Sequence, residues 1–315
     1  MNPRAVKVYA PASISNLGPG FDVLGIAIDK PGDYVIARRQ REKGLTFSVR
    51  TDQEGIPVEA SQNVAAYVAS LVLDEMKPAF GVNLTLHKRM PVGSGLGSSA
   101  ASSAAAAVAV NALLRKPVEK YALLRFVVEG ERKAAGSPHA DNAAPSLLGG
   151  AWLIRSYHPL DVVSIPVQDG IIWVVVHPHV VVHTREARRI LPKLVPLSSA
   201  IRQWGNVSGL TAGLIAGDAW LVGKCVEDVI VEPVRSRLIP GFSKVKEAAL
   251  KSGALGCSIS GSGPSMFAVT SSRSIAEKVS REMIKTFRRH AGVGCEAFIS
   301  RVNKEGATVV WKKSK

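Results

Sequence analysis

The sequence predicts an α+β fold of two layers. Strand-length runs with alternating or β-branched apolar residues recur along the chain, and amphipathic or Ala-rich stretches of helix length lie between them. The 315 residues suit one large or two medium domains. The stretch from Tyr157 to Asp169 is the best boundary, which gives domains at 1–160 and 161–315.

The elements follow in order. Val6 to Tyr9, Val35 to Arg38 and Leu45 to Val49 read as short strands. Asn63 to Met76 reads as an amphipathic helix. Val82 to His87 alternates as a strand, with Val82, Leu84 and Leu86 on one face. Ser98 to Leu114 is a helix rich in Ala and Ser, and Val118 to Ala134 is another. In the latter, Tyr121, Leu124 and Val128 form the apolar stripe and Glu129 lies beside it, in a position to turn inward. Ala151 to Ile154 and Ile171 to Val176 are strand-like. Beyond them, helices at Leu210 to Gly217, Ser243 to Lys251 and Ser274 to His290 interleave with strands at Ser265 to Val269, Glu296 to Arg301 and Thr308 to Trp311.

Composition narrows the function. Apolar residues make up 46% of the chain, enough for a buried core. The start of the chain lacks the apolar stretch of a signal peptide, and the longest apolar run, Ala104 to Val110, is far too short to span a bilayer. No membrane partner is expected. Cys225, Cys257 and Cys295 are widely spaced and fit a reducing cytoplasm better than a disulfide framework or a zinc site. The net charge of +15 attracts anions. However, the basic clusters are short: Arg38-Arg39-Gln40-Arg41, Arg188-Arg189, Arg288-Arg289 and Lys312-Lys313-Ser314-Lys315. Aromatics do not interleave with them, so phosphate-bearing small ligands are expected and a nucleic-acid partner is not.

The chemistry concentrates in Pro91-Val92-Gly93-Ser94-Gly95-Leu96-Gly97-Ser98-Ser99-Ala100-Ala101. Glycines let the backbone turn tightly and bring its N–H groups to a ligand. The helix N-terminus that follows offers free donors and partial positive charge to a phosphate. Ser98 and Ser99 add hydroxyls for phosphate or Mg²⁺. No Lys immediately precedes the serines, so this is not a Walker loop. Two more segments accompany it: Ala10-Pro11-Ala12-Ser13-Ile14-Ser15-Asn16-Leu17-Gly18-Pro19-Gly20-Phe21-Asp22, and Gly261-Ser262-Gly263-Pro264-Ser265 preceded by Ser260.

In order and spacing these three segments resemble the motifs of the GHMP kinase superfamily, over nearly the whole chain. Four stretches are similar to its homoserine kinase branch: the first motif; Ser137-Pro138-His139-Ala140-Asp141-Asn142; Thr184-Arg185-Glu186-Ala187-Arg188-Arg189-Ile190-Leu191-Pro192; and Glu232-Pro233-Val234-Arg235-Ser236-Arg237-Leu238-Ile239-Pro240-Gly241. Sugar and mevalonate kinases carry a Lys near the position of Ser13 and an Asp where Asn142 stands. Both departures argue against those relatives.

The resemblance implies a two-domain fold. Its N-terminal domain is expected to resemble domain 2 of ribosomal protein S5, with a left-handed βαβ crossover. The C-terminal domain is expected to be ferredoxin-like, with the site in the cleft between them. It implies ATP with Mg²⁺, L-homoserine as substrate, O-phospho-L-homoserine as product on the way to threonine, and a homodimer. Arg188 and Arg235 are expected to hold the substrate carboxylate in a planar fork. Asn16 and Asp22 would accept from its ammonium, and His139 would hold another polar edge. Asn142, Thr184 and Arg188 are the expected catalytic residues, with Asn142, Thr184 and His139 orienting the reacting groups while the hydroxyl proton passes to phosphate. Glu129 and Ser99 (or Ser98) would hold Mg²⁺; Glu129 can also pair with Lys133 on the surface, and Glu131 is expected to do nothing. Asn63 would touch the adenine or cap its helix. Two other readings stay open: another GHMP kinase with a different alcohol as substrate, and a nucleic-acid-binding protein on the same ribosomal-type fold.

Overall fold

The computed structural model describes residues 3–314, so Lys315 of the basic tail lies outside the described residues. A seven-stranded sheet forms the first layer. Strands β1 (Ala5–Ser15), β2 (Leu24–Gln40), β3 (Leu45–Thr51), β4 (Gly81–Lys88) and β11 (Thr308–Lys313) run in the order β11-β1-β2-β4-β3, and the hairpin of β5 (Ala151–Tyr157) and β6 (Leu160–Ile165) joins through β2. Alternation sets the two faces. Val6, Val8, Val35, Ala37, Val82, Leu84 and Leu86 are buried beneath helices. Register lines up Tyr9, Tyr34, His87 and Arg50 on the opposite face, next to a row with Lys7 and Ile36.

Helix α1 (Val64–Met76) links the parallel pair β3 and β4. Helix α2 (Ser98–Leu113) is buried almost all round, with Ala104 to Ala107 fully enclosed. Ala combines high helix propensity with the small size that close neighbours demand. The expected helix from Val118 begins as a 3₁₀ turn, Lys120–Leu123, and continues as α3 (Leu124–Ala135). Helix α4 (Ala140–Leu148) was not legible in the sequence, because Pro145 lies inside it and Pro normally argues against a helix interior.

The second layer is a four-stranded antiparallel sheet, order β10-β7-β9-β8, from β7 (Ile172–Pro178), β8 (Gly256–Ile259), β9 (Met266–Thr270) and β10 (Cys295–Ser300). In chain order this is 4-1-3-2, the ferredoxin-like arrangement. Residues of α9 (Phe242–Lys251) and α10 (Arg273–Ala291) pack against it through Val245, Ala249, Val279, Met283 and Phe287. Between β7 and α9 run α5 (Thr184–Arg189), α6 (Leu197–Ala216), α7 (Ala219–Cys225) and α8 (Glu232–Arg235).

The expected boundary at residue 160 falls inside the β5–β6 hairpin, where Tyr157 pairs with Leu160. The first sheet thus runs to Ile165 and takes β11 back from the C-terminal half. The expected helix Leu210 to Gly217 is only the last third of α6 with its C-cap.

Candidate active site

A cleft of about 740 Å³ opens between the two halves. Its floor is the loop between β4 and α2. Gly93, Gly95 and Gly97 all have φ near +70°, at 66°, 75° and 65°. A Cβ at Gly95 would strike the Ser260 carbonyl, and one at Gly97 would strike Ser13 Oγ, so both positions demand glycine. Gly97 caps α2 with no side-chain hydrogen bond, which leaves the first-turn N–H groups for an anion. Val92, Gly93, Ser94, Gly95, Gly97, Ser98 and Ser99 line the cleft. The side chains of Pro91, Leu96, Ala100 and Ala101, also expected at the nucleotide, do not line the cleft; Leu96, Ala100 and Ala101 are buried in the core.

The third motif clasps the other two. Ser260 Oγ donates to the Gly95 carbonyl at 2.7 Å, and the Gly261 carbonyl accepts from Asn16 Nδ2 at 2.9 Å and from an Arg235 N–H at 3.0 Å. Ser262 Oγ lies 3.3 Å from Thr184 Oγ1, which places Thr184 on the cleft wall.

At the substrate end, Arg188 donates to both carboxylate oxygens of Asp22 at 2.8 Å. Arg235 is buried, and its Nε donates to the Ala187 carbonyl at 3.1 Å. Burial lowers its guanidinium to about 10, against the pull of Asp22, so it stays charged at neutral pH. The Phe21 ring lies 5.2 Å from the Arg188 guanidinium and 5.0 Å from that of Arg235, and steadies two cations that would otherwise repel. Asn16 serves largely as a brace, because its Oδ1 already accepts from the Asp22 N–H at 3.0 Å. Tyr157 donates to the Asp22 carbonyl at 3.0 Å and fixes the same turn.

His139 Nδ1 sits 4.0 Å from both Asp22 and Asp141, while its Nε2 has no partner. Burial drops the imidazole to about 4, so it is neutral. Asp141 is buried with Oδ1 unpartnered, and burial followed by the nearby Asp22 and Glu131 charges pushes its carboxyl well up. Asn142 Oδ1 accepts from Ser13 Oγ at 2.8 Å, which leaves its Nδ2 free as a donor.

The metal side departs from expectation. Glu129 is half-exposed, pairs with Arg132 at 3.2 Å and does not line the cleft. Glu131 is buried, with Oε1 unpartnered; it does not line the cleft either, and meets it only through the neighbouring Ser99, which does. Burial raises it to about 7, while the adjacent Ser99 hydroxyl and the Lys88 charge pull it down. The reason is helical phase: α3 buries Leu124, Val127, Val128 and Glu131, an i, i+3, i+4, i+7 stripe, and leaves Tyr121 exposed. A hard carboxylate oxygen without a partner, beside a serine hydroxyl at the phosphate loop, fits Mg²⁺. Among the described residues no group of three His, Cys, Asp or Glu side chains is arranged to hold a metal ion by itself.

Lys88 was missed as well. It is buried, pairs with Asp33, and donates to the Ser98 carbonyl at 2.8 Å and to Ser102 Oγ at 2.9 Å. It continues the inward series Val82, Leu84, Leu86, and that was the available signal. Asn63 is the N-cap of α1, accepting from the Ala65 N–H at 2.9 Å and donating to the Pro57 carbonyl at 2.7 Å, and it also lines the cleft.

Comparison with known proteins establishes the family. Residues 63–150 match the family described as "GHMP kinases N terminal domain", and residues 210–289 match "GHMP kinases C terminal". The chain is 44% identical to a homoserine kinase of Chlorobium phaeobacteroides, covering 98% of this chain and 100% of that one. It is 40% identical to a homoserine kinase of Pyrococcus furiosus, covering 95% and 98%. The crystal structure of homoserine kinase from Cytophaga hutchinsonii superposes with a TM-score of 0.92 at 48% identity over 98% of each chain. L. major mevalonate kinase shares the fold alone, with a TM-score of 0.72 at 18% identity over 95% and 96%. The chain belongs to the GHMP kinase superfamily and, within it, to the homoserine kinase family.

Proposed function

We propose that this chain transfers the γ-phosphoryl group of ATP to the side-chain hydroxyl of L-homoserine, giving ADP and O-phospho-L-homoserine, a step toward threonine. The observation that carries the reading is the pairing, in one cleft, of an uncapped helix N-terminus with a zwitterion-shaped set of charges. Arg188 and Arg235 suit a carboxylate, and Asp22 suits an ammonium. Arg188 and Asp22 neutralise each other, and an amino-acid zwitterion can replace both partners at once.

Phosphoryl transfer requires mostly alignment and charge stabilisation. The glycine loop and the α2 N-terminus hold the phosphates, and Lys88 stiffens that loop through Ser98 and Ser102. Asn63 borders the nucleotide end. Glu131 and Ser99 would hold Mg²⁺, which supplies charge neutralisation between the phosphates when bound. Asn142 Nδ2 and Thr184 orient the hydroxyl and the γ-phosphate. Asn142 cannot take a proton at neutral pH, and burial lowers the His139 imidazole to about 4, which makes it a weak base; in this reading the hydroxyl proton passes to the phosphate itself. The reading includes a cytoplasmic location, in keeping with three free cysteines, and a homodimer. No helix of the described residues is long and apolar enough to cross a membrane.

A coupled ADP-release assay tests the activity. Turnover with L-homoserine, and little with mevalonate or galactose, is the expected result. Turnover with one of the latter and none with homoserine would overturn it.

A further inference from the structure

Lys88 turns inward to the phosphate loop, while its neighbours His87 and Arg89 point the other way, onto the face of the first sheet that the helices leave open. Strand register assembles that face from distant parts of the chain. His87 lies between Tyr34 and Arg50, Lys7 pairs with Trp311 in the next row, and Arg38 and Lys313 both pair with Ala5 in the row beyond. Arg38, Arg50, Arg89 and Lys313 are exposed and Lys7 is half-buried.

These five cations are uncompensated. Elsewhere on the surface Arg125, Arg155, Arg202 and Lys251 each pair with a carboxylate. Among the described residues Lys7, Arg38, Arg50, Arg89 and Lys313 have no such partner, and no carboxylate stands in the three rows. Lys7 and Arg89 rest instead on the Tyr34 ring, 4.6 and 4.9 Å from its centroid. His87 reports the resulting field. Burial, and then the charges of Arg50, Lys7, Arg89 and Arg38, lower its imidazole with no carboxylate opposing them, and its Nε2 has no partner.

We propose that the open face of the first sheet binds single-stranded nucleic acid through its phosphate backbone, as a function separate from the kinase cleft. Geometry selects a polymer over a small phosphate ligand. Arg50 and Lys313 are four strand spacings apart, about 19 Å, and the three rows add about 14 Å along the strands. One nucleotide cannot reach across such a span, whereas a chain of phosphates can. A lipid surface would call for apolar side chains projecting past the cations. The middle of this face holds half-buried Ile36 and the hydroxyls of Ser48 and Thr85, bonded to one another at 3.0 Å. The basic clusters visible in the sequence lack interleaved aromatics, but register sets Trp311, 45% exposed, beside Lys7, where its ring can stack on a base. The chain's excess of 40 basic over 25 acidic side chains extends the attraction beyond the face itself.

The test is fluorescence anisotropy of a fluorescein-labelled 20-nucleotide oligouridylate, titrated with the whole protein. Micromolar binding is expected at about 50 mM salt. Its log affinity should fall against log salt with a slope of about −3.5, since each phosphate neutralised on a single strand contributes about 0.7. Lys7→Gln/Arg38→Gln/Arg50→Gln should cut the slope to about −1.5 and the affinity at least tenfold. Its melting temperature and both kinase KM values should stay near wild type, because these side chains lie across the sheet from the cleft. Arg281→Gln/Arg288→Gln/Arg289→Gln, on α10, removes the same charge and should bind as wild type. An oligodeoxythymidylate of equal length should bind within about threefold of the RNA, because phosphate contacts carry no base information. No binding at about 100 μM protein, equal losses in the two triple variants, or no loss in the first would overturn the proposal. So would displacement of the oligonucleotide by ATP at concentrations that saturate turnover, which would place it in the cleft. Capture by phosphatidylglycerol vesicles without retention of the oligonucleotide would overturn it in favour of a lipid surface.

Discussion

Replacing Arg235 with Leu removes a buried cation whose hydrogen bonds can be counted. A guanidinium carries five N–H donors. Nε is spent on the Ala187 carbonyl and one further N–H on the Gly261 carbonyl, which leaves three for the cleft. A carboxylate bound in a fork uses two of them, each worth about 1.5–3 kcal/mol as a charge-assisted bond. Arg188 remains as second partner and the contributions are not additive, so the net loss should be about 3 kcal/mol, or roughly a hundredfold in homoserine KM. The ATP KM should stay within about twofold, because the phosphate loop is tied to the clasp through Ser260 and not through Arg235. The assay is coupled ADP release with each substrate varied in turn. Arg235→Leu also leaves two carbonyls short of a donor, so its melting temperature must be read alongside. Parallel rises in both KM values, or a homoserine shift below about threefold, would refute the carboxylate assignment.

Other perturbations separate the remaining roles. Glu131→Gln should cut turnover by about 10²–10³ and abolish its response to Mg²⁺, while Glu129→Gln should stay near wild type; similar losses in both would reject the buried carboxylate as metal ligand. Asp141→Asn should cost less than tenfold in turnover, and a loss of about 10²–10⁴ with disappearance of an acid limb in the pH profile would make Asp141 the base. The same variant has a stability signature. Burial and neighbouring carboxylates raise the folded pKa of Asp141, so its contribution is full below the ordinary carboxyl range and is lost as pH rises. Asp141→Asn should therefore melt higher than wild type at neutral pH, with the gap closing toward about pH 4. His177 runs the other way. Burial and then the charge of His179 lower it to about 4, so its stability is present above about pH 6.5 and lost as pH falls toward 4, by at most about 3 kcal/mol. His177→Gln should flatten that acid decline in thermal melts, and an unchanged decline would exclude it as the source.

Much of this protein follows from the sequence by itself. Period-two alternation marks β4, the Gly-Ser loop with its Ala-rich helix marks the phosphate cradle, and the three motifs with their intervening stretches name the family. These are local or short-range patterns, carried by backbone conformation and side-chain size. Other features depend on phase and register. Two residues along α3 separate the solvated Glu129 from the buried Glu131, and the stripe Leu124, Val127, Val128 places the second inward. Lys88 gains meaning only where Asp33, 55 residues away along the chain, accepts its proton donors. Lys7, Arg38 and Arg50 are scattered in sequence, yet strand register gathers them on one face. The first half of α6 escapes a sequence reading because its large apolar residues point outward, opposite to the stripe that packs a single chain. Burial, pairing and charge environment arise between segments distant in sequence, so only the folded chain decides them.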